Sequence, residues 1–133
     1  PYEYFGAPFI THGPYDRLPV PDGVLLRPCS FKPSAGRYAG EKCFGYQIML
    51  KPGAQYHSLL HTLQLIRYFK DVYPEFSLSD EFYRKLADER LAAYLAGEIS
   101  FQDAKEYVKQ EEQKWIRKAK RFTLYDDQPY RMK

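Results

Sequence analysis

Lys42-Cys43-Phe44-Gly45-Tyr46-Gln47-Ile48-Met49-Leu50-Lys51 is the stretch that decides the fold. Alternate positions hold Cys43, Gly45, Gln47 and Met49 on one side and Phe44, Tyr46, Ile48 and Leu50 on the other. A period of two marks a strand, and two mostly apolar sets predict a strand covered on both faces. Pro52-Gly53 ends it. Upstream, Gly23-Val24-Leu25-Leu26-Arg27 predicts a second strand, stopped by Pro28. Residues 4–10 predict a third, on a sheet edge because Pro8 cannot donate to a ladder. Between them lie a Pro-rich loop at 11–23 and a turn at Ser34-Ala35-Gly36-Arg37.

Punctuation residues divide the chain. Seven of ten prolines lie in residues 1–33 and seven of eight glycines in residues 1–53, so strands and turns belong there. From Ala54 to Gln128 the only breakers are Pro74 and Gly97, which predicts helices. Over 55–72, Tyr56, Leu59, Leu60, Leu63, Ile66 and Phe69 follow helical spacing, with Ser58, His61, Gln64 and Arg67 on more exposed sides. Ser79 or Asp80 caps a helix predicted to run through Glu89 to Ala96, with Gly97 as its exit. Ser100-Phe101-Gln102-Asp103 reads as a capping box opening a last helix to about Arg121. That helix is expected to turn Phe101, Ala104, Val108, Trp115, Ala119 and Phe122 inward, with Glu111 and Glu112 interrupting the stripe. The expected class is α+β: a small, mainly antiparallel sheet in the N-terminal part, packed by three or four C-terminal helices.

Composition narrows the function classes. The 133 residues suit one domain, and 44% apolar with 28% charged content fits a globular chain. No apolar run reaches the roughly 18 residues of a membrane span. A net charge of +3 does not argue for nucleic acid or an anionic membrane as the main partner. The sequence opens Pro1-Tyr2-Glu3, without initiator Met or signal segment, and reads as a piece of something longer. Cys29 and Cys43 are one bridge or two buried thiols. Thirteen Tyr, nine Phe and one Trp suit either partly buried helices or surfaces that stack under sugar rings.

Chemistry-bearing patterns are few. His57 and His61 stand at i and i+4, but Ser58 occupies the place of a zinc-protease glutamate and no third ligand is evident, so hydrogen-bonded histidines are expected rather than a metal site. Lys114, Arg117, Lys118, Lys120 and Arg121 form a basic cluster, read as a solvated helix end rather than a phosphate site. There is no Gly-rich phosphate loop and no nucleophile elbow. The segment from Arg27 to Gln47 is richer. It gathers Arg27, Arg37, Tyr38, Glu41 and Gln47 on a stiff loop above a strand pair, which suits a site wall; the alternative is a structural network in which Glu41 pairs with Arg27 or Arg37.

This segment also carries a resemblance. Gly6-Ala7-Pro8-Phe9-Ile10, Gly23-Val24, Arg27-x-x-x-Phe31-x-Pro33 and Tyr38-x-Gly40-Glu41-x-Cys43-x-Gly45 resemble the C-terminal domain of the NamZ-like exo-β-N-acetylmuramidases, formerly a family of unknown function. Tyr73-Pro74-x-Phe76 and Trp115 followed by Phe122, Leu124 and Tyr125 continue the likeness in the same order. It departs at residues 11–22, short and Pro-rich where the family usually carries a short helix.

The resemblance implies that residues 1–133 are a single, auxiliary domain of a larger bacterial enzyme. Its Rossmann-like N-terminal domain carries the catalytic Glu, and the active cleft lies between the two. The activity implied is exo-acting release of N-acetylmuramic acid from peptidoglycan fragments, in cell-wall recycling. This chain alone is then inactive, with no catalytic residue, metal or organic cofactor of its own. Its implied partners are the N-terminal domain and muramyl saccharides. A periplasmic or secreted location follows from the substrate, and there a Cys29–Cys43 bridge becomes possible. Arg27 and Arg37 are the candidates for holding the lactyl carboxylate of muramic acid. Tyr38 offers a stacking face or hydroxyl, and Glu41 and Gln47 hold sugar hydroxyls or fix the arginines. The alternative functions are a non-catalytic glycan-binding module and a protein-interaction module.

Overall fold

The computed structural model describes residues 3–11 and 18–122. Residues 12–17 of the Pro-rich loop and the Leu124-Tyr125 end of the terminal pattern lie outside the described residues. The chain divides into two units, one ending at Ala87 and the other beginning at Asp88. The architecture is α+β, as the patterning predicts.

In the first unit, β1 (Tyr4–Ala7), β2 (Val24–Phe31) and β3 (Cys43–Leu50) form an antiparallel sheet in the order β1-β3-β2. Residues 42–51 thus supply the central strand, and residues 4–10 the expected edge. β2 does not stop at Pro28. Lys51 donates its N–H to the Gly23 carbonyl, which sets the hydrogen-bonded pairs of the β2–β3 ladder at odd positions of β2. Pro28, opposite Tyr46, therefore turns its nitrogen to the open edge, where a missing N–H costs nothing.

Parity then separates the two faces of the sheet. Phe5 and Ala7 of β1, Leu26 of β2 and Tyr46 of β3 share the inner face. There Ala7, Ile10, Leu65 and Phe69 form a buried cluster, with Phe5, Leu26, Tyr73 and Phe76 packed against it. The Phe69 ring sits 5.7 Å from that of Phe5 and 6.1 Å from that of Phe76. The outer face carries Tyr4, Leu25, Arg27, Phe31, Gln47 and Met49. Met49 and Leu50 are exposed, so β3 is covered on both faces only in its first half.

Gly6 and Gly45 make the middle of the sheet possible. They lie opposite each other, and a Cβ on Gly45 would stand 2.6 Å from the Gly6 Cα and would run into the Phe5 carbonyl. The Phe31 ring lies close over Gly6, within 3.0 Å of where a Cβ would project.

Helix α1 (Ser58–Val72) lays Leu65 and Phe69 on the sheet and ends before Pro74. Its inward face differs from the expected one. Leu59 is exposed, whereas Leu60, His61 and Leu63 are buried, His61 at 1% exposure. The region expected as one helix from 79 to 96 is two. Ser79 caps α2 (Asp80–Leu86), Ala87 breaks it with a left-handed backbone (φ 48°), and Asp88 caps a new helix. An N-cap Asp needs extended backbone, so the second cap and the break come together.

In the second unit, α3 (Glu89–Ala96) leaves through Gly97, and α4 (Phe101–Ala119) opens on the Ser100–Asp103 capping box. The Tyr94 and Phe101 rings meet at 5.9 Å, and Ala104 and Val108 are buried. Trp115 and Phe122, expected inward, are 69% and 83% exposed. Length explains this within the unit: eight residues of α3 span about 12 Å and nineteen of α4 about 28 Å, so α4 outruns its partner.

Candidate functional site

The five residues singled out in the sequence do not share one place. Arg27 and Gln47 are direct cross-strand partners on the outer sheet face, and the Arg27 Nη2 donates to Gln47 Oε1 at 2.5 Å. A guanidinium can only donate, so the side-chain oxygen of Gln47 must face it and the amide NH2 is left for other acceptors. Arg27 is exposed and retains further N–H donors.

Arg37 and Tyr38 sit in the loop between β2 and β3. Gly36 and Gly40 take left-handed backbone there, and the Gly40 N–H donates to the Pro33 carbonyl at 2.8 Å. The Arg37 guanidinium lies 5.6 Å over the Tyr38 ring, a cation–π contact. That ring in turn meets Phe9 at 6.4 Å and packs against the buried cluster. Tyr38 is therefore anchored on the inner side, away from the face that carries Arg27 and Gln47. Glu41 is exposed and forms no ion pair with Arg27 or Arg37, so the alternative network of Glu41 with these arginines is not made.

Gln47 belongs to a second feature that the sequence did not announce. β3 runs on past the point where β1 begins, which leaves an open cleft of about 580 Å³ beside its second half. Glu3, Gln47, Met49, Tyr56, Ser58 and Thr62 line it. Only Gln47 was legible beforehand, because the other polar groups come from a chain end and from a helix start with no motif spacing.

Behind Tyr56 stands His61. Its Nε2 lies 2.9 Å from the Pro19 carbonyl and its Nδ1 2.9 Å from the Tyr56 hydroxyl. A carbonyl only accepts, so Nε2 carries the proton and Nδ1 of the neutral ring accepts from Tyr56. Burial holds the His61 pKa below its ordinary value, against the opposing pull of the Pro19 carbonyl, and raises that of Tyr56. Both favour this proton arrangement. His57 instead caps α1, its Nδ1 accepting from the Leu60 N–H at 3.3 Å. The two histidines are thus separate structural groups, and His61 is buried rather than on the exposed side expected of it. Among the described residues, no group of three or more His, Cys, Asp or Glu is placed to hold a metal ion.

The remaining features are local. Lys114, Arg117, Lys118, Lys120 and Arg121 are exposed, and Lys114 pairs with Glu111 at 2.5 Å. Arg117 and Lys118 lie in the last turn of α4, where cations suit the helix dipole. Cys29 and Cys43 are free thiols. No described helix is long and apolar enough to cross a membrane.

Comparison with known proteins places this geometry. Residues 1–125 match the family described as "Exo-beta-N-acetylmuramidase NamZ, C-terminal". The chain belongs to that family. The motifs of the first fifty residues fall on the elements described above: Gly6 and Gly45 at the close strand crossing, Arg27 and Phe31 on the outer face of β2. Among curated proteins, the "Peptidoglycan beta-N-acetylmuramidase NamZ" of Bacillus subtilis (strain 168) is 32% identical over 79 residues. The match covers 56% of this chain and 19% of that relative. No solved structure matches the chain at a comparable level.

Proposed function

We propose that this chain forms one wall of the substrate cleft of an exo-acting glycoside hydrolase that releases N-acetylmuramic acid from peptidoglycan fragments. The observation that carries the reading is the Arg27–Gln47 pair, held in register on an open sheet face. An exposed guanidinium with free donors suits a carboxylate on the sugar, since Arg pairs with carboxylates through parallel N–H bonds. Gln47 fixes its direction. Arg37 supplies a second cation in the neighbouring loop, and Glu41 an exposed acceptor.

Hydrolysis itself falls to the other wall. Glycoside cleavage ordinarily uses two carboxyl groups across the sugar. Glu3 is the one carboxylate among the residues lining the cleft. The acid is then supplied by a Rossmann-like N-terminal domain, and this chain alone is inactive. The substrate puts the enzyme in the periplasm or outside the cell, working in cell-wall recycling.

The test is kinetic, in the protein with its N-terminal domain. Arg27→Ala and Arg37→Ala should each lower kcat/KM for muramic-acid substrates by about tenfold or more, the loss of one charge-assisted hydrogen bond. Arg27→Lys, which keeps charge but not the fork, should fall between. Unchanged kinetics in both alanine variants overturn the reading.

A further inference from the structure

We propose that the exposed end of α4, residues 114–122, is a docking surface for a bilayer of anionic phospholipid. It lies outside the candidate site and does not depend on the cleft-wall reading.

The pattern starts in the sequence. Lys114-Trp115-Ile116-Arg117-Lys118-Ala119-Lys120-Arg121-Phe122 holds five cations and no carboxylate. Regular helix carries this stretch to Ala119, and the Phe122 N–H still donates to the Ala119 carbonyl at 2.8 Å. At helical spacing Trp115, Ala119 and Phe122 then stand in one line (i, i+4, i+7), with Ile116 beside it. The line continues the stripe of Ala104 and Val108, which are buried. Lys114, Lys118 and Arg121 make the adjoining line on one flank, at the same spacing, and Lys120 follows Ile116 on the other.

Trp115, Ile116 and Phe122 are all exposed. The helix dipole accounts for cations in the last turn, but it gives no reason for three large apolar groups among them. Single exposed apolar residues are ordinary; a line of them flanked by cations marks an interaction surface. Glu111 and Glu112 break the stripe one turn earlier, so this end is set off from the half of α4 that packs with α3.

Whatever covers such a surface must be apolar in the middle and negative at its edges. A second copy of this chain is opposed by charge, because five cations would face five. A nucleic acid meets the cations and stacks bases on aromatic rings, but Ile116 and Ala119 offer no ring. A bilayer with anionic headgroups meets both parts. The apolar line enters the headgroup boundary, and Trp115 takes the interfacial place that indole favours. The Lys and Arg stems lie along the apolar line while their charged ends reach the phosphates. Lys118 and Arg121 form no ion pair among the described residues, so their charge is available for this.

Trp115 is the one tryptophan of the 133-residue chain, so its fluorescence reads this surface alone. Vesicles of equal parts phosphatidylglycerol and phosphatidylcholine should shift its emission to the blue and sediment the chain. Vesicles of phosphatidylcholine alone should do neither, and about 0.5 M salt should release the bound chain. Ile116→Ser and Phe122→Ser should each weaken sedimentation about tenfold. Lys118→Gln and Arg121→Gln should each weaken it about fivefold. All four positions are exposed, so circular dichroism and melting should match the wild type. The protein with its N-terminal domain should sediment with the same anionic vesicles. Several results overturn the surface: equal binding to both vesicle types, no effect of the apolar variants, or binding of single-stranded DNA as tight as that of the anionic vesicles. A dimer that already shields Trp115 before vesicles are added overturns it in favour of a second copy. Loss of vesicle binding when the N-terminal domain is present overturns it in favour of that domain.

Discussion

His61 donates from Nε2 to the carbonyl of Pro19 at 2.9 Å, which ties α1 to a loop 42 residues earlier in the chain. The imidazole is 1% exposed and both its nitrogens are partnered, so it folds as a neutral group. Its pKa lies below the ordinary value in the folded protein, chiefly through burial. Unfolded chains take up this proton near pH 6.5, and the folded one resists it. The stability His61 contributes is therefore complete above about pH 6.5 and is lost as pH falls toward the depressed folded value. Urea melts should show that loss between about pH 7 and 5, and His61→Phe should flatten it. The same variant should cost about 2 kcal/mol at pH 8, because the Pro19 carbonyl and the Tyr56 hydroxyl lose their partner. A wild-type stability that rises on acidification through this window would refute the assignment.

The crossing of Gly6 and Gly45 makes a steric prediction. A methyl on Gly45 collides with backbone on β1, which cannot swing aside as a side chain can. Gly45→Ala should cost about 2 kcal/mol or more. Gly36→Ala is the contrast: its φ of 89° is strained for alanine, but nothing lies within 4 Å of the new methyl. That change should cost only about 1 kcal/mol. Denaturant midpoints of the two variants check the order.

Asp88 holds two groups at once. Its Oδ1 accepts from the Leu91 N–H at 2.9 Å as the cap of α3, and its Oδ2 accepts from the Tyr107 hydroxyl of α4 at 2.7 Å. Asp88→Ala should cost about 2 kcal/mol, one for the cap and one for the cross-helix bond. Asn keeps a capping oxygen, so Asp88→Asn should recover about half. Equal melting points for wild type and Asp88→Ala would show that neither bond matters.

This residue also shows where the sequence was legible. The alternation of residues 43–50 and the caps at Ser79 and Ser100 are local signals, and the strand and the two helix starts stand where the patterning puts them. Asp88 was passed over because residues 79–96 read as one helix, and a left-handed Ala87 has no compositional signature. His61 was misplaced for a different reason. Its burial depends on Pro19 and Tyr56 satisfying both nitrogens, a long-range condition that periodicity does not see. The site divides the same way. Arg27 and Gln47 face each other because strand register follows from alternation, whereas Tyr38 is held by Phe9 on the inner side and the cleft residues meet only through the fold.

The two cysteines make the last prediction. Register sets Cys29 opposite Gly45 and Cys43 opposite Phe31, so the thiols are diagonal neighbours. Such pairs stand roughly 7–8 Å apart across a sheet, beyond the usual reach of a disulfide. Both are free thiols here, and Cys43 is fully buried. A thiol reagent should find two groups after unfolding and only Cys29 in the native protein, with the same gel mobility before and after reduction. Cys29 should react more slowly than a free cysteine, since burial raises its pKa and shrinks the thiolate fraction, while the Arg27 charge offsets part of that rise. Arg27→Gln removes the offset, and labelling of Cys29 near pH 8 should slow further. Faster labelling in that variant would mean that Arg27 shields the sulfur more than it stabilises the thiolate, and would break the electrostatic link between this cysteine and the candidate site.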